Sequence, residues 1–380
     1  MNKKNQIRQK KFLKTNYGEI ESPFFMPDAT RGFVKFLSLK DLSNINLEAV
    51  VVNTYHLFLR PGQSFFKKEN IHKWGNWEIP VLSDSGGYQV FSLIRRNKKM
   101  GKITDKGAYF RSPLDGKWLW LTPEKSIAMQ FDLGVDMMVV LDDPPQNNLK
   151  KDKIKQAVER TLQWARRSVK EYKRQIRNRR ISFKKRPLLF AVIQGGPYLD
   201  LREYCLNGLK KIAFEEKDDI FKDWDGYGFG GRHVDSQGNF MEDILKATAK
   251  MIPNNKWKFA LGIGSPEDIV KSVSMGWDMF DCVIPTREGR HGKLLIRKYP
   301  KIIVRNKLKY EVVNISNQRF KNNTKIIDKH CQCELCQYYN FSFLHHLFKY
   351  QDPLGMRLVA LHNLKFYLDL MNELRDIQVV

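Results

Sequence analysis

Apolar residues in this chain gather in short unbroken runs, each ending on a polar residue or a glycine, rather than alternating with polar ones. Eight such runs recur: "PFFMPD" (23 to 28), "EAVVVNT" (48 to 54), "PVLSD" (80 to 84), "DMMVVLDD" (136 to 143), "LLFAVIQGG" (188 to 196), "GYGFGG" (226 to 231), "KFALGIG" (258 to 264) and "MFDCVIP" (279 to 285). Between them lie stretches of helical period, "PEKSIAMQFDLG", "IKQAVERTLQWARRSVKEYKRQ", "MEDILKATAKMI" and "PEDIVKSVSMGW", two of which open with Pro at a first helical position. Continuous apolar runs indicate strands buried on both faces, and alternation with helices indicates a parallel sheet. Eight such units predict an α/β fold closed into a (β/α)₈ TIM barrel. An open doubly wound sheet is the alternative, but no glycine-rich phosphate loop opens a helix after the first run. In a barrel the residues that end the runs, Asn53, Asp84, Asp142, Gln194, Gly231 and Asp281, converge on the C-terminal mouth, where barrel enzymes hold their sites. Residues 95 to 120 are turn-rich, basic and aromatic and predict an inserted hairpin near that mouth.

Length and composition admit a large core: 380 residues, 42% of them hydrophobic. No apolar run approaches a membrane span, and the N-terminal "MNKKNQIRQKKFLK" lacks the apolar stretch of a signal peptide, so a cytoplasmic protein is expected. The formal net charge of +25 favours a polyanionic partner, with denser basic runs at residues 2 to 14, 95 to 102 and 166 to 187. A lysine-rich solvated surface explains the same charge, and composition alone does not choose between the two.

Three of the five cysteines are packed into "CQCELC", which excludes a disulfide framework and points to a metal. Cys331, Cys333 and Cys336 supply three thiolates; His330, His345, His346 and His362 are candidates for the fourth ligand, and spacing does not select one. With no open coordination position, one structural zinc per chain is expected. No flexible linker precedes this region, so the chain divides into a catalytic barrel, 1–297, and a zinc-binding helical region, 298–380, packed on it.

Asp84, Asp142 and Asp281 each end an apolar run, and buried acids sharing a pocket repel one another and shift their pKa values. Each alone could be a helix cap or an arginine partner; three at equivalent barrel positions suggest chemistry. One acid can attack an anomeric carbon while another moves a proton. The pairs "SGG", "QGG" and "FGG" fall at three of the same strand ends, where glycine lets a flat ligand reach the backbone, with Tyr88 and Leu261 placed to sandwich its ring. "PTREGRHGK" follows the last run directly, and its Arg287 and Arg290 are placed to clamp phosphates or base edges.

Taken together, "DSGGYQVFSL", "NTYHLFLRPG", "VIQGG", "FDCVIPTREGRHG" and "CQCELC" resemble the tRNA-guanine transglycosylases over nearly the whole chain. Those are zinc-containing barrels that exchange guanine at the anticodon wobble position for a 7-deazaguanine, without breaking the phosphate backbone. The resemblance implies that Asp281 is the nucleophile at the ribose anomeric carbon, forming a covalent enzyme-tRNA intermediate, and that Asp84 is the general acid/base. It further implies that Ser85, Asp142, Gln194 and the Gly231 amide contact the base, that Tyr88 and Leu261 hold its faces, and that Arg287 and Arg290 contact flanking uridines. The family's zinc histidine lies in an "H-N" pair, which selects His362 in "LHN", and a homodimer is implied.

Several positions depart from the bacterial pattern: Pro144 stands where Cys is usual, and "RHVDSQ" brings Arg232, His233 and Ser236 into the segment that senses an aminomethyl group. Val234 still matches. The expected base is 7-aminomethyl-7-deazaguanine, with queuine as the alternative. A catalytically silent tRNA-binding subunit is a reading of another class, weakened by the intact acid motifs. A barrel hydrolase with a catalytic metal would need ligands at the mouth, for which His56 and His233 are the nearby histidines.

Overall fold

The computed structural model describes residues 10–379. All eight apolar runs form parallel strands of one sheet: β1 Phe24–Pro27, β2 Val50–Asn53, β3 Val81–Asp84, β4 Met137–Val139, β5 Leu188–Ile193, β6 Gly226–Phe229, β7 Trp257–Ala260 and β8 Met279–Cys282. The strands follow one another around the sheet in chain order, β8 pairs with β1, and a parallel bridge from Asp28 to Val51 closes β1 onto β2. The closing contact includes the Ala29 N–H donating to the Val51 carbonyl at 2.7 Å.

The unbroken apolar character of the strands is explained by this closure. Phe24, Met26, Val51, Met137, Val139, Phe190 and Val192 fill the barrel interior, while Phe25, Val50, Val52, Met138, Leu189 and Ala191 face the surrounding helices. Both faces are therefore buried, and period-two alternation disappears. The four predicted helices form as Pro123–Leu133, Lys151–Asn178, Glu242–Met251 and Pro266–Ser274. Thr122 and Ser265 cap the two that begin with proline, accepting the N–H of Lys125 and Asp268.

At the floor, an N-terminal hairpin, Phe12–Thr15 with Gly18–Glu21, places Leu13 and Ile20 in the barrel interior. Lys11 pairs with the fully buried Asp278 at 2.8 Å, and Tyr17 stacks on His72. Part of the basic run 2 to 14 is thus a barrel plug; residues 2 to 9 lie outside the described residues.

The insertion differs from the predicted hairpin. It is a three-stranded antiparallel sheet, Gly101–Thr104, Gly107–Arg111 and Trp118–Leu121, and residues 95 and 96 belong to the preceding helix Gly87–Arg96. Tyr109 stacks on Trp118 across the second strand pair, a contact that makes the aromatic "WLW" a strand. After β8 comes the short helix Ile284–Arg290, and the C-terminal helix Pro353–Val379 crosses it where Gly289 has no side chain: a Cβ there would lie 2.8 Å from the Ala360 backbone. Leu361, Leu364, Tyr367 and Met371 of that helix join the core that surrounds the barrel. No described helix is long and apolar enough to cross a membrane.

Candidate active site and metal centre

Asp84 and Asp281 are the third residues or later of β3 and β8, and Asp142 follows β4, so all three acids stand at the C-terminal ends of barrel strands. Burial is the largest cause of their perturbation. Asp84 is pushed up to about 6, with the amides of Ser85 and Gly86 and the side chains of Gln89 and Asn53 partly offsetting the loss of water. Asp142 is pushed up to about 7, by burial and then by the charges of Asp84 and Asp143, against the hydrogen bond from Gln194. Asp281 is likewise pushed up to about 7, by burial and then by Asp84 and Asp28, against the Gly262 N–H that donates to its Oδ1 at 2.9 Å. The charge of Asp84 acts on both other acids. Burial first, and for Asp142 and Asp281 the neighbouring charge of Asp84, hold all three above the ordinary aspartate value.

Beside Asp142, Gln194 donates its Nε2–H to the Asp142 carboxylate, which leaves Gln194 Oε1 buried without a partner in the protein. Such an acceptor is costly unless a ligand supplies a donor. A cleft of about 340 Å³ adjoins, lined among others by Tyr88, Arg95, Arg96, Pro144, Gly231, Arg232 and Ser236. Tyr88 is half exposed there, whereas Leu261 packs against the barrel interior and His233 against Phe240. Ser85 is buried, its Oγ accepting the Gly87 N–H at 3.3 Å. Arg287 is exposed, and Arg290 is partly buried within the field of Asp28.

The glycines owe their identity largely to the protein's own packing. At Gly86, with φ of 83°, a Cβ would lie 2.6 Å from the Tyr55 backbone nitrogen; at Gly87 it would lie 2.8 Å from Leu141 Cδ1. The space expected for a flat ligand at these two positions is filled by Tyr55 and Leu141. Gly231, with φ of 81°, differs: the nearest atom to its missing Cβ is Gln194 Oε1 at 3.5 Å.

Three neighbours escaped the sequence reading. Asp28 ends the first apolar run as Asp84 ends the third, and that equivalence was its signal. Asp143 is held by Arg160 at 2.5 Å and Arg95 at 3.5 Å. Asn147 donates its Nδ2–H to the carbonyls of Arg232 at 3.0 Å and Val234 at 2.7 Å, and carried no signal in sequence.

At the C-terminal end, Cys331, Cys333, Cys336 and His362 present ligand atoms all within 4.8 Å of one another. His362 Nδ1 lies 3.3 Å from Cys336 Sγ and 3.5 Å from Cys333 Sγ, close to the ~3.6 Å nitrogen–sulfur edge of a tetrahedral zinc site. Its Nε2–H donates to the Leu295 carbonyl at 2.9 Å, which leaves Nδ1 as the lone-pair donor facing the thiols. His345 is instead bonded through Nδ1 to the Ile315 carbonyl, and His346 packs on Tyr350. The donor set is compatible with a metal site and fits a soft, tetrahedral ion. Among the described residues no comparable group of three donors occurs at the mouth.

A closed (β/α)₈ barrel thus carries buried acids at its mouth and, apart from them, a thiol cluster compatible with a metal site. A family model described as queuine tRNA-ribosyltransferase matches residues 8–377. Proteins called queuine tRNA-ribosyltransferase from Vibrio campbellii and Natranaerobius thermophilus are 37% and 38% identical over 99% and 96% of this chain, covering 90% and 89% of their own lengths. The Halothermothrix orenii protein of that name is 37% identical over 96% of the chain and 88% of its length. The chain belongs to the queuine tRNA-ribosyltransferase family. It is accordingly a pentosyltransferase, of the tRNA-guanine transglycosylation reaction in queuosine modification.

Proposed function

We propose that this enzyme replaces the wobble guanine of tRNA by a 7-deazaguanine through two displacements at one ribose carbon, with Asp281 as nucleophile and Asp84 as proton carrier. The observation that supports this best is that Asp84 shares its field with both Asp142 and Asp281. When Asp84 is protonated, as a general acid must be, its share of the shift on Asp281 is lifted, leaving burial and Asp28 opposed by the Gly262 amide, so the Asp281 carboxylate is more readily formed. In the first step an Asp281 oxygen forms a bond to C1′, the C1′–N9 bond breaks, and its electron pair leaves with guanine, which takes a proton from Asp84. In the second, Asp84 removes the N9 proton of the incoming base, N9 bonds to C1′, and the ester to Asp281 breaks. Asp142 and Gln194 read the base edge, and the free Gln194 Oε1 accepts its N–H groups. Arg287 and Arg290 contact the flanking nucleotides. Cys331, Cys333, Cys336 and His362 would hold a zinc ion, which would supply a fold constraint rather than a site for substrate.

For the incoming base the reading is 7-aminomethyl-7-deazaguanine, with queuine as the alternative. The carbonyls of Arg232 and Val234 each accept one N–H from Asn147 and keep a second lone pair for an ammonium. Arg95, Arg96 and Arg232 line the same cleft and offer donors to a hydroxylated substituent, which keeps queuine as the alternative.

The test offers unmodified tRNA three bases, 7-aminomethyl-7-deazaguanine, 7-cyano-7-deazaguanine and queuine, and weighs the nucleosides recovered after digestion. Incorporation of the aminomethyl base is expected. Incorporation of queuine alone would overturn the reading of the cleft, and no exchange by a folded, zinc-loaded protein would bring forward a silent tRNA-binding subunit.

The same reading includes a second copy of the chain as partner. Phe33 and Trp74 flank an apolar groove of about 340 Å³ while remaining 54% and 40% exposed, and Arg357 joins Asp41 near that groove to Glu334 beside the thiolate cluster. A sedimentation mass of one chain at micromolar concentration would exclude a dimer.

A further inference from the structure

Arg202, on the helix Leu199–Glu215, is fully buried, and among the described residues its hydrogen bonds go to carbonyl groups and to no acid. Its Nε–H donates to Gly196 O at 2.9 Å, Nη1 to Ile193 O at 3.1 Å and Nη2 to Gly230 O at 3.2 Å, and the guanidinium carbon lies 3.8 Å from the centre of the Phe229 ring. A buried cation without a carboxylate is expensive, and burial here pulls its pKa down to about 9. Three neutral carbonyls would be served more cheaply by ordinary turn amides, so its location asks for another reason.

The three carbonyls bracket the two loops that face the base. Ile193 and Gly196 stand on either side of Gln194 and Gly195, and Gly230 precedes Gly231. Ile193 O also accepts the Gly230 N–H at 3.0 Å, so one oxygen ties the end of β5 to the end of β6 and Arg202 covers its second lone pair. The fit is close on every side: a Cβ on Gly195 would lie 2.6 Å from Arg202 Cγ, and one on Gly230 would lie 2.5 Å from Gln194 Nε2. The Gln194 N–H meets Cys205 Sγ, one turn further along the same helix, at 3.3 Å. The helix thus grips Gln194 from before, behind and at its own amide.

We infer that Arg202 is a positioning residue for base recognition: its planar fork sets the separation of Gln194 from Gly231, and so the width of the slot that accepts the base edge. The inference rests on the proposal that Gln194 and Gly231 read the base. Lysine keeps the charge but gathers its donors on one nitrogen, without the rigid fork whose three nitrogens each meet a different carbonyl, and leaves the two loops freer to drift apart. Small displacements of such groups weaken binding of a planar base far more than they weaken tRNA docking, which uses other surfaces.

The experiment compares wild type, Arg202→Lys, Arg202→Ala and Gln194→Ala for the KM of the incoming base, kcat and tRNA affinity, at a temperature at which circular dichroism shows each variant folded. Arg202→Lys is expected to raise the base KM about tenfold while tRNA affinity stays within twofold. Millimolar guanidinium ion is expected to restore the KM of Arg202→Ala, which a general loss of stability would not allow. If Arg202→Ala does not fold, Arg202→Lys decides alone. A folded Arg202→Lys with wild-type KM, beside a Gln194→Ala whose KM is raised, would overturn the role of Arg202 only. An unchanged KM in Gln194→Ala would instead overturn the reading of the base site.

Discussion

Asn53 donates its side-chain N–H to Asp84 Oδ2 at 3.0 Å while its own Oδ1 accepts the His56 N–H at 3.3 Å. The second bond fixes which way the amide faces, so the end of β2 presents a donor to the acid that ends β3. Strand register does the rest, since Asn53 and Asp84 are direct partners across the β2–β3 pair. Because this bond stabilises the ionised form of Asp84, Asn53→Ala should move its pKa further up from about 6. The limb of the pH–rate profile on which activity falls, as Asp84 loses the proton it must donate, should then shift to higher pH. An unshifted limb would remove Asn53 as the support of Asp84.

The acids should cost stability where they are charged. Asp142 titrates at about 7 in the folded chain against 3.8 for an ordinary aspartate, so between these values the native state holds a proton that the unfolded chain has released. The penalty is absent below about pH 4, grows as pH rises, and is complete above about pH 7. Asp142→Asn keeps an oxygen for Gln194 and should stabilise the protein by on the order of 2–4 kcal/mol at pH 8 and by under half of that at pH 5. Thermal unfolding at the two pH values checks this; equal stabilisation at both would exclude charge as its source.

Asp281→Asn should abolish exchange and the covalent tRNA adduct seen on a denaturing gel, while tRNA affinity stays within about threefold. An adduct formed by the folded variant would remove Asp281 as nucleophile.

Stripping the metal should lower the melting temperature and activity together, and zinc should restore both at one ion per chain. Cys331, Cys333 and Cys336 sit in a small core with Leu294, Ile296 and Leu358, so loss of the ion unpins the strand Lys293–Arg297 that follows the Arg287 helix. A metal-free protein that melts as the holoprotein does, but is inactive until zinc returns, would make the site catalytic.

The basic run 166 to 187 should matter little for tRNA. Arg166 meets Glu215, Arg167 Glu124, Lys173 Glu216, Arg174 Glu171, Arg177 Asp218, Arg179 Asp132 and Arg186 Asp225. Exchanging Arg166 and Arg174 for Gln should leave tRNA affinity within about twofold, whereas Arg287→Ala should weaken it about tenfold and lower the salt slope by about one. A filter-binding titration at two salt concentrations separates the cases, and the opposite ranking would place the RNA on the helix face.

Much of the site was legible because strand ends in a barrel are equivalent positions, and Asn53, Asp84, Asp142, Gln194 and Asp281 each end a run. The same argument applied to "PFFMPD" would have added Asp28. Asn147 and Arg202 were not legible: one lies in a loop and one on a helix, and each acts on backbone carbonyls that no residue type marks. Gly86 and Gly195 carried a true signal with a different meaning, since the atoms that exclude a Cβ belong to Tyr55 and Arg202.

Taken alone, the sequence determined the eight strands, their parallel closure, the ends at which acids gather and the three thiolates, because periodicity and chain order are local properties that burial writes directly into residue type. Tertiary structure alone decided that the charges of 166 to 187 are largely paired, that the insertion has a third strand and that Asn147 bonds the carbonyls of the cleft. Those are through-space relationships between residues far apart in the chain, and they depend on a few ångströms of packing that no one-dimensional pattern records.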